Sequence, residues 1–260
     1  MIQKTSLLVL FFLGIEFVHS QTLILSTAKY DFLGTDVYGQ IYMVNDAELM
    51  KHDAQGNFKQ KYVNNRLGNI GAIDATNPLK ILVFYRESNA LVFLDHNLIE
   101  ITGGLDIYEM AGFEASLACT SSDGGFWLWN PVQQTVNHFT DQRVSDRQTQ
   151  CLSDWFTGNT VTEILECEQK LFVVASHKIL LFDYFGTYLN SLALEQVKNL
   201  SITNQTLVWL SGNKLLTYHW QSHQTGEMPL PEGKSPKQAF LVGNKMILGL
   251  ESSIEIYDLK

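Results

Sequence analysis

Chemistry needs side chains of the right type at the right spacing, and this chain offers few. Its histidines beyond the first twenty residues are His52, His96, His138, His177, His219 and His223. None forms an HxH or HExxH pair with a nearby acid, so the usual zinc-ligand spacing is absent. His219 and His223 are four apart, but on a predicted strand and turn they would not share a helical face. No GxSxG, Walker loop or GxGxxG is present. Gly103-Gly104, Gly124-Gly125 and Ser211-Gly212-Asn213 read as turns, and none opens a helix that could cradle phosphate. The expectation is no catalytic residue, no resident metal and no cofactor.

Two other groups of residues have distinctive chemistry. The cysteines are Cys119, Cys151 and Cys167. An odd count leaves at least one unpaired in an exported chain. Cys119 falls on a predicted buried strand. A Cys151–Cys167 disulfide would pin the intervening segment, if the Cα separation allowed it. The second group lies in a polar stretch from roughly Asp141 to Thr160. Trp155 and Phe156 sit there between Ser153-Asp154 and Thr157-Gly158-Asn159, with Arg143 and Arg147 nearby. Aromatic pairs on insertions are candidate interface anchors. The other reading is that the loop folds back and buries both rings.

The elements that must position these residues come from a repeat. Six apolar runs end at Asp53, Asp95, Asn130, Asp183, His219 and Asp258, with gaps of 42, 35, 53, 36 and 39 residues. Ile164–Asp183, Leu200–His219 and Ala239–Asp258 align without a gap. Each reads as strand, polar turn, buried strand, polar turn, strand. Ile81–Tyr85 with Leu91–Asp95, Leu117–Thr120 with Phe126–Asn130, and Ile41–Val44 with Leu49–Asp53 supply the other pairs. Asp53-Ala54-Gln55-Gly56 and Asp183-Tyr184-Phe185-Gly186 suit bulged hairpins closed by an Asp acceptor and a Gly at positive φ. A more polar outer strand is expected at Phe58–Val63, Leu98–Ile101, Thr135–Phe139 and Tyr188–Leu192. The long gap predicts an insertion between the third and fourth units. Within Phe126–Asn130, Trp127 and Trp129 share one strand face and Phe126 and Leu128 the other. Trp127 and Trp129 are expected to pack between repeat units, as are Trp209 and Trp220.

A period near 40 marks an all-β propeller. The count gives six blades of four antiparallel strands. The last unit lacks an outer strand, and Thr22–Ser26 has no unit of its own, so the N-terminal strand is expected to close the ring. This organisation resembles six-bladed propellers with NHL-type repeats, over nearly the whole chain and at the level of architecture. It lacks the Gly-His and Trp-Asp marks of WD40 repeats. Six-bladed propellers of the lactonase-like kind hold a divalent metal on the axis, and a shared architecture would imply the same place for one here. Asp36, Asp74, Asp106, Glu114 and Glu163 are the acids that could approach it, although none sits in a matching motif.

Residues 1–20 read as a signal peptide: Lys4, the apolar run Leu7–Val18, then Val18-His19-Ser20 with cleavage expected before Gln21. A short signal with Gln next resembles exported proteins of the Bacteroidota. The expected location is the periplasm or the extracellular space, with one domain over residues 21–260 and no membrane span in the mature chain. The net charge of −9 argues against nucleic acid and anionic membrane surfaces as partners. The function expected is an exported, non-catalytic, monomeric propeller that binds another envelope or secreted protein. Two other readings stay open: a metal-dependent lactonase-like hydrolase with an axial site, and a carbohydrate-binding propeller.

Overall fold

The computed structural model describes residues 19–26, 29–156, 160–175, 177–194, 197–203 and 205–259, with residues 19–26 and 198 described by backbone alone. Most of the expected signal peptide lies outside these residues. The chain runs from β1 (His19–Ser26) into six sheets of four antiparallel strands each. Blade one is β2 (Phe32–Thr35), β3 (Ile41–Asn45), β4 (Glu48–His52) and β5 (Phe58–Val63). Blade two is β6 (Ala72–Asp74), β7 (Ile81–Tyr85), β8 (Ala90–Leu94) and β9 (Glu100–Asp106). One five-residue helix, α1 (Ile107–Ala111), leads into blade three: β10 (Leu117–Thr120), β11 (Phe126–Asn130), β12 (Thr135–Phe139) and β13 (Ser145–Gln148). Blade four is β14 (Val161–Cys167), β15 (Lys170–Ala175), β16 (Lys178–Asp183) and β17 (Tyr188–Ala193). Blade five is β18 (Lys198–Thr203), β19 (Thr206–Ser211), β20 (Lys214–His219) and β21 (Gln224–Pro229). Blade six is β22 (Gln238–Val242), β23 (Lys245–Gly249) and β24 (Ser253–Leu259).

The ring closes as the sequence predicts. β1 pairs antiparallel with β24 as the outer strand of blade six. The pairing starts at His19 with Leu259, so cleavage before Gln21 would leave Gln21 to Ser26 still paired with Tyr257 to Ser253.

Strands buried on both faces explain the unbroken apolar runs. Alternate residues of one strand serve two neighbours. Val83 and Tyr85 pack with Tyr42 and Leu49 of blade one, while Leu82 and Phe84 pack with Phe126 and Leu128 of blade three. Trp127 and Trp129 turn the opposite way, onto Leu171 and Val173 of blade four. Trp209 and Trp220 pack with Phe172 of blade four. There is one apolar cluster at each of the six blade interfaces.

The third repeat differs from its sequence reading. Asn130 ends the second strand of its blade, not the third. Thr135–Phe139, expected as an outer strand, is the buried third strand β12. The true equivalent of Asp53 is Thr140: Asp53, Asp95, Thr140 and Asp183 each donate a backbone N–H to the carbonyl four residues on. With Thr140 the spacings become 42, 45, 43, 36 and 39. Much of the supposed insertion is therefore blade three's own turn and outer strand β13. In blade two the outer strand starts at Glu100, later than predicted, because Leu98 lies in the turn.

The fourth residue of these turns takes positive φ: Gly56 at 77° and Gly186 at 81°, but Leu98 at 57° and Arg143 at 66°. A left-handed conformation costs a residue with a Cβ roughly 1–2 kcal/mol. Arg143 is exposed. Arg143→Gly should therefore stabilise the protein by about 0.5 kcal/mol, after glycine's greater unfolded-state entropy is subtracted. Urea denaturation reads this out, and a loss of stability would contradict it.

Candidate functional site

Two features could do work: the channel on the ring axis and one face of the ring. The channel is a cavity of about 510 Å³ lined by residues of all six innermost strands. An innermost strand leaves one row of backbone groups unpaired by any sheet. Polar side chains of neighbouring blades supply partners along that row. Asp74 Oδ2 accepts from Thr120 N at 2.8 Å and Thr120 Oγ1 at 2.7 Å, joining blades two and three. Glu163 Oε2 accepts from Leu200 N at 3.2 Å, joining four and five. Asn199 Nδ2 donates to Lys237 O, joining five to the strand entry of six. Gln238 straps six to one, accepting from Leu33 N at 2.6 Å and donating to Leu33 O at 3.2 Å. Between blades one and two the contact is apolar: a Cβ on Gly34 would stand 2.8 Å from Ile73 Cδ1.

Glu166 is the most heavily engaged of the polar groups between blades. It is buried, and it accepts from Ser121 Oγ at 2.6 Å, Ser122 N at 2.9 Å, Ser122 Oγ at 2.5 Å and Trp127 Nε1 at 2.5 Å. It ties blades three and four together at the rim of the channel.

The electrostatics of the channel are unusual at two groups. Burial, with the Asp74 charge adding to it, pushes the Glu163 carboxyl up to about 8, against the smaller opposing effect of its bond from Leu200 N. Burial also pushes the Cys119 thiol well up, reinforced by Asp74, Glu166 and Glu163. Cys119 is thus an inert core thiol. Of the five acids offered for an axial metal, Asp74 and Glu163 line the channel. Asp36 instead closes the β2–β3 turn, accepting from Tyr38 N, Gln40 N and Tyr42 Oη. Asp106 caps α1 through Glu109 N, and Glu114 is exposed. Among the described residues, no three or more His, Cys, Asp or Glu side chains group where they could hold a metal ion.

The other sequence candidates are separated. Phe156 is buried and Trp155 half-buried, both in the cluster between blades three and four. Trp155 stacks on Phe182 at 6.1 Å between centroids and meets Tyr188 edge-on at 4.0 Å. Packing therefore accounts for both rings, the folded-back alternative weighed from sequence. Arg147 is engaged by its own blade interface. It pairs with Asp123 at 2.5 Å, donates to Tyr184 O at 3.2 Å and lies 3.8 Å from the Tyr184 ring centroid. Burial opposes ionisation of Asp123, but hydrogen bonds from Tyr184, Gly125 N and Arg147 outweigh it and hold the carboxyl below the usual range. Arg143 alone of the four points to solvent, in the turn after β12.

Cys151 and Cys167 are free thiols. Cys151 follows the outer strand of blade three, and Cys167 ends the innermost strand of blade four. The possible bridge between them is not formed.

The second feature is a face. In blades one to five the turn between first and second strands and the turn between third and fourth emerge on the same side, as does the first turn of blade six. Contacts between blades confirm it: Lys80 bonds Gly124 O and Asp141, Tyr184 Oη bonds Asp123, and Lys245 bonds Ala54 O. This face carries Val37, Tyr38, Leu79, Ile99, Val144 and Phe185, each between 59% and 71% exposed. They form an arc over four consecutive blades. The opposite face carries Tyr108 and Val132, with Val63 at the end of β5, as its exposed large apolar side chains among the described residues. Sequence reasoning missed this arc because its members are one or two residues in each of several separate turns; only the ring brings them together.

No helix among the described residues is long and apolar enough to cross a membrane. No family model matches the chain, and no curated protein matches it. Solved structures do resemble it. Virginiamycin B lyase from Staphylococcus aureus is 10% identical, covers 94% of this chain and 100% of its own, and superposes with a TM-score of 0.63. A chain of the mitotic checkpoint complex is 10% identical over 99% of this chain and 97% of its own, with a TM-score of 0.60. The Pan2 WD40 domain of Neurospora crassa is 6% identical over 92% and 95%, also at 0.60. Identities this low establish the propeller fold alone, on which both an enzyme and a chain of a protein complex are built.

Proposed function

We propose that this chain is an exported, non-catalytic propeller that binds another envelope or secreted protein through the face bearing the apolar arc. The observation that carries the reading is the one-sided placement of Val37, Tyr38, Leu79, Ile99, Val144 and Phe185. Single exposed apolar residues are ordinary, but six on one face of a rigid ring make a surface suited to exclude water against a partner. The channel polar groups support the same reading from the other side. Asp74 spends its oxygens on Thr120 and Thr76, and Glu166 on Ser121, Ser122 and Trp127. Groups so engaged hold the ring together. A similar propeller in the mitotic checkpoint complex works within an assembly. Export rests on the charged, apolar and small-residue pattern of residues 1–20.

Affinity capture from cross-linked envelopes of the host tests the reading. The wild type should recover one or two partners near stoichiometrically, with its own chain beginning at Gln21. Combined Tyr38→Ser, Leu79→Ser and Phe185→Ser should lose them, while Val132→Ser on the other face keeps them. Stability should change by less than about 0.5 kcal/mol per exposed site. Equal recovery by the triple variant would overturn the proposed face.

A further inference from the structure

The innermost strands enclose space that protein binding on the ring face does not use. We propose that the axial channel is a binding site for a small organic cation with an apolar body, held by the carboxyl of Glu163. The cavity, about 510 Å³, is within the range of sites for drug-sized ligands. Its walls are apolar and polar in comparable measure, with Leu33, Ile73, Leu117, Ile202 and Phe240 supplying apolar surface. Glu163 sits deep among the blades yet keeps some accessible surface, and it lines the cavity. One of its oxygens takes the Leu200 N–H. The other has no hydrogen-bond partner among the described contacts.

The charge of the lining selects the ligand class. An anion would meet the Asp74 and Glu163 carboxyls. The one basic lining residue is Arg86, exposed just beyond the end of β7. A hard divalent ion wants six or more oxygens, and both Asp74 oxygens are already engaged by neighbouring residues. An ammonium-type cation needs only one carboxylate, and its apolar body fills the rest of the channel. The titratable and charged groups facing Glu163 are Asp74 on β6, Cys119 on β10, Glu166 on its own strand and Arg86. None of the other described lining residues titrates.

The test uses benzyltrimethylammonium, whose charge does not change with pH, with benzyl alcohol as the neutral counterpart. With Glu163 ionising near 8, calorimetric affinity of the full chain for the cation should rise at least about tenfold from pH 6 to pH 9. At pH 7 close to one proton should be released per cation bound, measured in buffers of different ionisation enthalpy. Glu163→Gln keeps an acceptor for Leu200 N, so it should fold, and it should lose the pH dependence, the proton release and most of the affinity. No binding at pH 9, equal binding by Glu163→Gln, or equal binding of benzyl alcohol would each overturn the proposal. None of these results depends on whether the ring face captures a protein.

Discussion

Replacing Glu163 by Gln is expected to stabilise the folded protein above neutral pH and to abolish a fall in stability that the wild type shows between about pH 4.5 and 8. The sign follows from linkage. Glu163 keeps its proton in the folded state up to about 8, while the unfolded chain ionises near 4.5. Between those values the folded state binds more protons than the unfolded one, so stability falls as pH rises, by at most about 1.4 kcal/mol per pH unit. Below the window both states are protonated and the group contributes nothing. Above it both are ionised and the penalty is constant. Partial access to the channel softens the effect, leaving a cost on the order of 3 kcal/mol at pH 8. Glutamine keeps the bond to Leu200 N without the buried charge. Urea unfolding of both proteins from pH 5 to 8.5 checks this. Parallel pH profiles would show that Glu163 is solvated like a surface acid.

Replacing Glu166 by Ala should be the most damaging single change in the ring, costing roughly 3–5 kcal/mol. Its carboxylate receives four donors from Ser121, Ser122 and Trp127. Removing it strands the buried Ser121 hydroxyl and Trp127 indole N–H, while the exposed Ser122 can turn to solvent. Trp127 is fully buried against blade four, so the loss should loosen the interface of blades three and four. Glutamine at this position keeps one acceptor and should cost about half as much. Chemical denaturation followed by tryptophan fluorescence measures both. A loss under about 1 kcal/mol for Glu166→Ala would show that water replaces the carboxylate.

The ring was legible in the sequence because burial on two faces makes most of the second and third strands largely apolar, and that pattern recurs. The third unit misleads for a physical reason. β12 reads Thr-Val-Asn-His-Phe, a composition expected at a wet edge, yet all five residues are buried. Its polar groups are paired internally: His138 Nδ1 lies 2.6 Å from Asp146 Oδ1, and Asn137 Nδ2 donates to Thr135 Oγ1. Buried, satisfied polar groups are invisible to a hydropathy pattern. Thr140 in place of Asp hid the turn that would have restored the count.

The site was less legible. Asp74 and Glu163 stood among five acids with nothing to favour them, since the unpaired edge they serve exists only once the ring closes. Gln238 and Asn199 do the same work with no charge to draw attention. For Trp155 and Phe156 the polar sequence neighbours left binding and folding back both open; Trp155 meets Phe182 and Tyr188 of the next blade, and Phe156 is buried in the same cluster.

The proposed function is tested most directly by hydrogen–deuterium exchange of the protein alone and with its captured partner. Protection is expected in the turns at residues 36–40, 75–80, 95–99, 140–144 and 184–187, with residues 107–116 and 131–134 unchanged. Protection confined to those last two segments, or to the outer strands, would contradict binding through the apolar face.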